Sequence, residues 1–156
     1  MSNQGLEQYL RSKQKQLMRT PVGDRWVAAH LAHNNLLFGG EQSGHLILKD
    51  ILPTGDGIAT ALRCLESITH TGNWAMHTFE KYPQKLINVP VLYKKDLKEA
   101  PIADIIVEYQ KQLDSGRIYV RYSGTENVLR VMVEDREDDA AHRICSHLAK
   151  ALEKAL

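Results

Sequence analysis

Cysteine is scarce in this chain, and what there is suggests neither a staple nor a metal. Its two cysteines, Cys64 and Cys145, have no disulfide framework and no metal-ligand spacing around them. The expectation is two buried free thiols in a reducing, cytoplasmic compartment. Aromatic residues make up only 6%, too little for a stacking platform on single-stranded nucleic acid. A surplus of one charge is missing as well, since 20 Lys and Arg stand against 19 Asp and Glu. Proteins that bind nucleic acid by neutralising many phosphates need a basic excess, so no nucleic-acid partner is expected. No apolar run approaches the roughly 18 residues that span a bilayer, and no membrane partner is expected either. The polar opening Met1-Ser-Asn-Gln-Gly5 does not read as a signal peptide. Nothing in the sequence fixes an oligomeric state. What is present is ordinary for a globular chain of 156 residues, 43% of them hydrophobic, which is enough for one or two small domains.

Periodicity divides the chain into elements. Leu6 to Lys15 has helical composition, and Gln16 to Thr20 could form a short strand before Pro21. Asp24 to Asn34 fits a helix, Leu36 to Phe38 a strand, and His45 to Lys49 a strand beyond a glycine-rich loop. Asp56 is placed to cap a helix from about Ile58 to Thr69, with Ile58, Ala61, Leu62, Leu65 and Ile68 at helical spacing. A polar stretch from Thr69 to Lys85, with His70, Gly72 and His77, ends at a domain boundary near Pro83, and the link between the halves is expected around Lys81 to Asn88. Beyond it come a strand at Ile87 to Tyr93, a helix at Pro101 to Leu113, strands at Arg117 to Arg121 and Val128 to Val133, and a helix from Asp138 to Leu156. The last helix turns Ala141, Ile144, Cys145, Leu148 and Leu152 inward. The order β-α-β-β-α in the second half reads as α+β.

Two loops concentrate chemistry. Arg121-Tyr-Ser-Gly-Thr-Glu126 joins two strands and suits an anion, above all a phosphate. Arg121 offers a guanidinium fork, Ser123 and Thr125 offer hydroxyls, and Gly124 opens the backbone N–H groups to close approach. Arg130, on the following strand, adds a second positive charge. A plain Ser-Gly turn is the competing reading. In Gly40-Glu-Gln-Ser-Gly-His45, one carboxylate, one amide, one hydroxyl and one imidazole fall within six residues. Glu41 and Ser43 could hold sugar hydroxyls, and His45 could orient the loop. Here the competing reading is a solvated glycine turn. Two ligands do not close a metal site, and His30 and His33 on one helix lack a third, so no metal is assigned to this chain. Trp26 and Trp74 read as packing residues, and Asp135 to Asp139 as acids favourable at a helix start.

Taken together, the two loops resemble the sugar-binding and phosphate-binding loops of the α-D-phosphohexomutases, in the family's order. Thr20-Pro-Val-Gly-Asp-Arg25, Thr54-Gly-Asp-Gly57 and Leu129-Arg-Val-Met132 resemble its glucosamine-phosphate branch. The resemblance covers essentially the whole chain. It implies an incomplete third domain of mixed α/β architecture at residues 1–80, carrying the sugar loop. A small α+β fourth domain with an antiparallel sheet follows at residues 86–156, carrying the phosphate loop. It places Asp24 near the sugar, although capping the following helix would explain Asp24 equally well.

The resemblance also implies an activity. Members of the family interconvert a sugar 6-phosphate and its 1-phosphate through a bisphosphate intermediate, here glucosamine phosphate for a cell-wall amino-sugar precursor. Their phosphoserine and Mg²⁺ belong to N-terminal domains, and this chain contains no D-x-D-x-D loop and no matching serine loop. It is therefore expected to bind the phosphosugar without turning it over alone, and to hold no cofactor. Glucose or mannose phosphate substrates, or a stand-alone phosphosugar-binding module, are the alternatives. The family's phosphate loop has proline after its arginine and after S-G-T-E. Here Tyr122 and Asn127 occupy those places, which removes two sources of stiffness from the loop.

Overall fold

A computed structural model describes residues 1–74 and 79–156, which divide into two units, Met1–Glu80 and Lys81–Leu156. His77, named with the boundary stretch, lies outside the described residues.

The first unit begins with helix α1, Gln4–Ser12. The side chain of Asn3 starts it by accepting the Gly5 N–H at 2.9 Å. Residues 16–20 form no strand. Met18 there is 54% exposed, and Arg19 turns back to pair with Glu7 on α1, so the segment lies along its own helix and has no partner strand. Helix α2 is Asp24–His33, and strands β1 (Phe38–Gly40) and β2 (Leu46–Leu48) form an antiparallel hairpin with Gly39 opposite Ile47. The first strand thus begins two residues later than the apolar run Leu36 to Phe38. Gly39 marks where α2 rests on the hairpin: a Cβ there would come within 2.7 Å of Val27 Cγ1. Leu31 on α2 also lies against Gly39, and both Leu31 and Ile47 of β2 are buried.

Helix α3, Gly57–Thr71, starts on Asp56, whose carboxylate accepts the Ala59 N–H at 2.7 Å, and stops at Gly72. None of its described side chains is buried. Ile58, Leu62 and Leu65 are 50–76% exposed. Cys64 is exposed as well, which corrects the expectation of two buried thiols. The caps and the helix-forming composition define this helix, and its apolar row lies open.

The second unit is built on strand β3 (Gln84–Pro90), helix α4 (Ile102–Gln110), strands β4 (Arg117–Tyr122) and β5 (Val128–Glu134), and helix α5 (Asp138–Ala155). Its sheet is antiparallel in the order β3-β5-β4. Because Gln84–Pro90 pairs along its full length with β5, the expected link at Lys81 to Asn88 is shorter than its polarity suggests. Central β5 is the most buried strand, with Leu129, Val131 and Val133 fully enclosed. Helix α5 covers the sheet with Ala141, Ile144, Cys145, Leu148, Ala149 and Leu152, which contains the inward row read from the sequence. Among the described residues, no helix is long and apolar enough to cross a membrane.

The two thiols consequently differ in chemistry. Burial pushes Cys145 up to about 11, partly offset by the charge of Lys85 and by the backbone amides of Val133 and Ile87. A thiol with that pKa is thiolate to only about one part in a thousand at pH 8. Titration of the native chain with a disulfide reagent at pH 8 should therefore consume one thiol, Cys64, and the second only after denaturation. Two fast equivalents from the native chain would contradict the enclosed position of Cys145.

Candidate functional site

In the first unit, three sequence motifs far apart in the chain meet at the hairpin tip. The Glu41 N–H donates to His45 O at 2.8 Å and the Gly44 N–H to Glu41 O at 3.0 Å, which closes the 40–45 loop into a tight turn. The half-buried Glu41 points towards α2, where its Oε1 accepts the Gly23 N–H at 3.0 Å. A carboxylate there also faces the positive end of the α2 dipole. His45 Nε2 lies 3.8 Å from Asp24 Oδ2, an ion pair when the imidazole is protonated. Gly23, not Asp24, is the capping residue, and Asp24 sits in the first turn accepting the Arg25 N–H at 2.8 Å. The 54–57 turn completes the arrangement. Gly55 bridges to Ile47, and a Cβ on it would come within 2.2 Å of His45 Nε2. Only a glycine leaves room for that imidazole.

Asp24, Glu41 and His45 are thus gathered by the fold, and Ser43 stands exposed at the tip of the same turn. Gly23 and Gly55 escaped the sequence reading as individual residues, although both belong to motifs it picked out. Trp26 is 44% exposed, with the Arg25 guanidinium 5.0 Å from its ring centroid, and Trp74 is 71% exposed. Neither indole is a core residue, which corrects the packing assignment.

In the second unit, the 123–127 loop spans the end of β4 and the start of β5. It is closed by the Ser123 N–H donating to Val128 O at 2.9 Å. Arg121 and Arg130 are direct cross-strand partners in the β4–β5 register. Like charges placed opposite each other disfavour a sheet unless an anion compensates them. Part of that compensation is internal: Glu126 Oε2 accepts from Arg130 Nη2 at 2.8 Å and from Ser123 Oγ at 3.4 Å. Arg121, half-buried, makes one long contact, from Nη1 to Tyr122 O at 3.4 Å. Arg130 Nε is enclosed without a hydrogen-bond partner.

Ser123 is buried, and Gly124 and Thr125 are exposed. The space over Gly124 is open, since a Cβ there would meet nothing within 4 Å. The sequence reading overlooked Glu126 as an internal counter-charge, although its four-residue spacing from Arg130 was a usable signal. It also overlooked Lys94, whose Nζ donates to Ser123 O at 2.9 Å from 29 residues away, a contact no local pattern announces. Among the described residues, no group of three His, Cys, Asp or Glu could hold a metal ion.

Comparison with known proteins matches residues 1–86 to phosphoglucomutase/phosphomannomutase, alpha/beta/alpha domain III, and residues 86–151 to the C-terminal domain of the same family. The phosphoglucosamine mutase of Lactobacillus johnsonii is 43% identical over the whole of this chain and 36% of its own length. That of Erythrobacter litoralis is also 43% identical, over 99% of this chain and 35% of its own length. The chain therefore spans just over a third of the curated relatives it matches. Among solved structures, the N-acetylphosphoglucosamine mutase of Aspergillus fumigatus shares the fold with a TM-score of 0.82 at 20% identity, over 99% of this chain and 37% of that one. Another structure of that fungal enzyme was solved with GlcNAc-6P and magnesium. Both halves of the sequence, and the fold they adopt, point the same way: the chain belongs to the phosphoglucomutase/phosphomannomutase family and carries its third and C-terminal domains.

Proposed function

We propose that the chain is the substrate-recognition part of a phosphoglucosamine mutase, which interconverts glucosamine 6-phosphate and glucosamine 1-phosphate through a bisphosphate. The observation that carries this reading is the facing pair Arg121 and Arg130 beside the Ser123, Gly124 and Thr125 turn. Two guanidinium groups with hydroxyl and backbone donors match the charge and the oxygen count of a phosphate. Arg121 takes two phosphate oxygens with its fork. Ser123, Thr125 and the Gly124 N–H are the neutral donors, and Arg130 supplies the second charge once Glu126 yields. Sugar hydroxyls fall to the other loop, with Glu41 and Ser43 as their partners and the Asp24–His45 pair fixing the turn. A grip that avoids the reacting atoms serves both orientations of a bisphosphate.

The covalent step is assigned to a phosphoserine and Mg²⁺ in other domains of the intact enzyme. Among the described residues, no cluster of carboxylates, imidazoles or thiols could hold that magnesium. The choice of glucosamine rests on the relatives' names and on the motifs shared with that branch. Two free cysteines, one of them exposed, suit the reducing cytoplasm where sugar phosphates are made.

The division of labour has a direct test. Titrating glucosamine 6-phosphate and inorganic phosphate into the chain and its Glu41→Ala variant should separate the two tasks. The variant should bind the sugar phosphate about tenfold more weakly and inorganic phosphate nearly as before. An equal loss for both ligands would show that Glu41 acts through folding, since it also holds Gly23, and would remove it from the sugar site.

A further inference from the structure

The phosphate loop lacks prolines at its two flanks, Tyr122 and Asn127, and these are the places where one neighbouring segment grips it. Val91 N–H donates to Asn127 O at 2.9 Å at the far end of the loop. Lys94 Nζ donates to Ser123 O at 2.9 Å at the near end, and the same ammonium lies 5.9 Å from the centroid of the Tyr122 ring. The Tyr122 ring packs against the core of the unit, and its hydroxyl is enclosed. Burial raises its pKa, which the Lys95 backbone amide offsets in part and Asp96 adds to.

The gripping segment is itself anchored. Val91 is buried in the core of the unit, and Lys95 Nζ donates to Ala155 O at 2.8 Å. A cation on the last carbonyls of a helix is favoured by the helix dipole. The Lys95 ammonium also lies 5.8 Å from the Tyr93 ring centroid. The end of α5, residues 91–95 and the loop thus form one connected chain of contacts.

We propose that Lys94 is a positioning residue for phosphate binding: residues 91–95 form a strap that holds the 122–127 loop in its binding shape, with Lys94 as the clasp. The proposal rests on reading that loop as the phosphate site. Lys94 spends a donor on a backbone carbonyl of the loop, which fixes the Ser123 peptide and with it the Gly124 N–H that follows. A loop already held in shape loses less freedom when a ligand arrives, so clasp and affinity are coupled.

The test uses the full 156-residue chain, inorganic phosphate, and the variants Lys94→Met, Lys94→Arg and Arg121→Ala. Lys94→Met keeps the aliphatic stem and removes the donor. Its amides at residues 123–127 should exchange with solvent about fivefold faster or more, and phosphate should bind about three- to tenfold more weakly. Lys94→Arg should recover most of both. The loss of affinity should persist at 0.5 M salt, where an unattached surface charge contributes little.

Unchanged loop exchange in Lys94→Met overturns the proposal. So does faster exchange with unaltered phosphate affinity, which would make the clasp purely structural, and so does a loss of affinity that vanishes in salt. Arg121→Ala separates this failure from failure of the site. If that variant binds phosphate like the parent, the site assignment falls whatever Lys94 does. If it loses phosphate while Lys94→Met does not, the site stands and the clasp falls.

Discussion

Replacing Arg121 by alanine should weaken phosphate and phosphosugar binding ten- to a hundredfold without weakening the fold. Hydrogen bonds to charged groups contribute about 1.5–3 kcal/mol each, and roughly 1.4 kcal/mol is a factor of ten. A bidentate contact from one fork lies at the upper end of that range. Arg121→Lys should restore little, because a point charge cannot reproduce the planar fork. The stability half of the prediction follows from the register. Arg121 faces Arg130 directly, and removing one of two opposed cations relieves a repulsion. The ligand-free variant should therefore melt at or slightly above the temperature of the parent. Phosphate, which binds only the folded chain, should raise the melting temperature of the parent and not of the variant. Titration calorimetry with thermal melts in the presence and absence of phosphate reads both halves. Equal phosphate affinity in the two proteins would reduce the loop to a turn.

A second large effect is expected far from either loop. Leu148 is fully buried between α5 and the sheet, within the cluster that includes Leu129, Val131 and Val133. Truncating such a leucine to alanine removes its transfer free energy and leaves a cavity, a cost of about 2–5 kcal/mol. Small domains hold only about 5–15 kcal/mol in total, so the second unit should lose a large part of its stability. Urea unfolding followed by a probe in that unit should show a midpoint shift with little change in slope. A loss below about 1 kcal/mol would mean that the site collapses around the smaller side chain, against the close packing described here.

Much of the second unit was legible beforehand because its signals are local and mutually consistent. Val128 to Val133 is a run of β-branched and apolar residues, as a strand buried in the middle of a sheet requires, and the inward row of the last helix follows from a period of 3.6. In the first unit, the same reasoning fails where periodicity has no partner to meet. The apolar row of α3 is as regular as that of α5, yet Ile58, Leu62 and Leu65 are open. Spacing encodes which residues share a face and does not encode what covers it. Cys64 was misjudged for the same reason.

The loops show a similar split. Arg121, Ser123 and Glu41 could be chosen by chemistry, because few residue types suit a phosphate or a hydroxyl. Their supports could not be chosen that way. The Gly23 amide under Glu41, the Gly55 gap beside His45, and Lys94 on the Ser123 carbonyl are contacts between segments 10 to 29 residues apart, set by the fold.

The open face of α3 bears on the order in which this chain loses its abilities on warming. Among the described residues, the first unit encloses Leu31 and Ile47 as its apolar centre, whereas the second encloses a sheet and a long helix. Elements with few enclosed apolar side chains open first. The turn assigned to sugar hydroxyls sits in the weaker unit and the turn assigned to phosphate in the stronger. Heat should therefore erode selectivity before affinity: a warmed chain would still hold a phosphate group while no longer distinguishing the sugar attached to it.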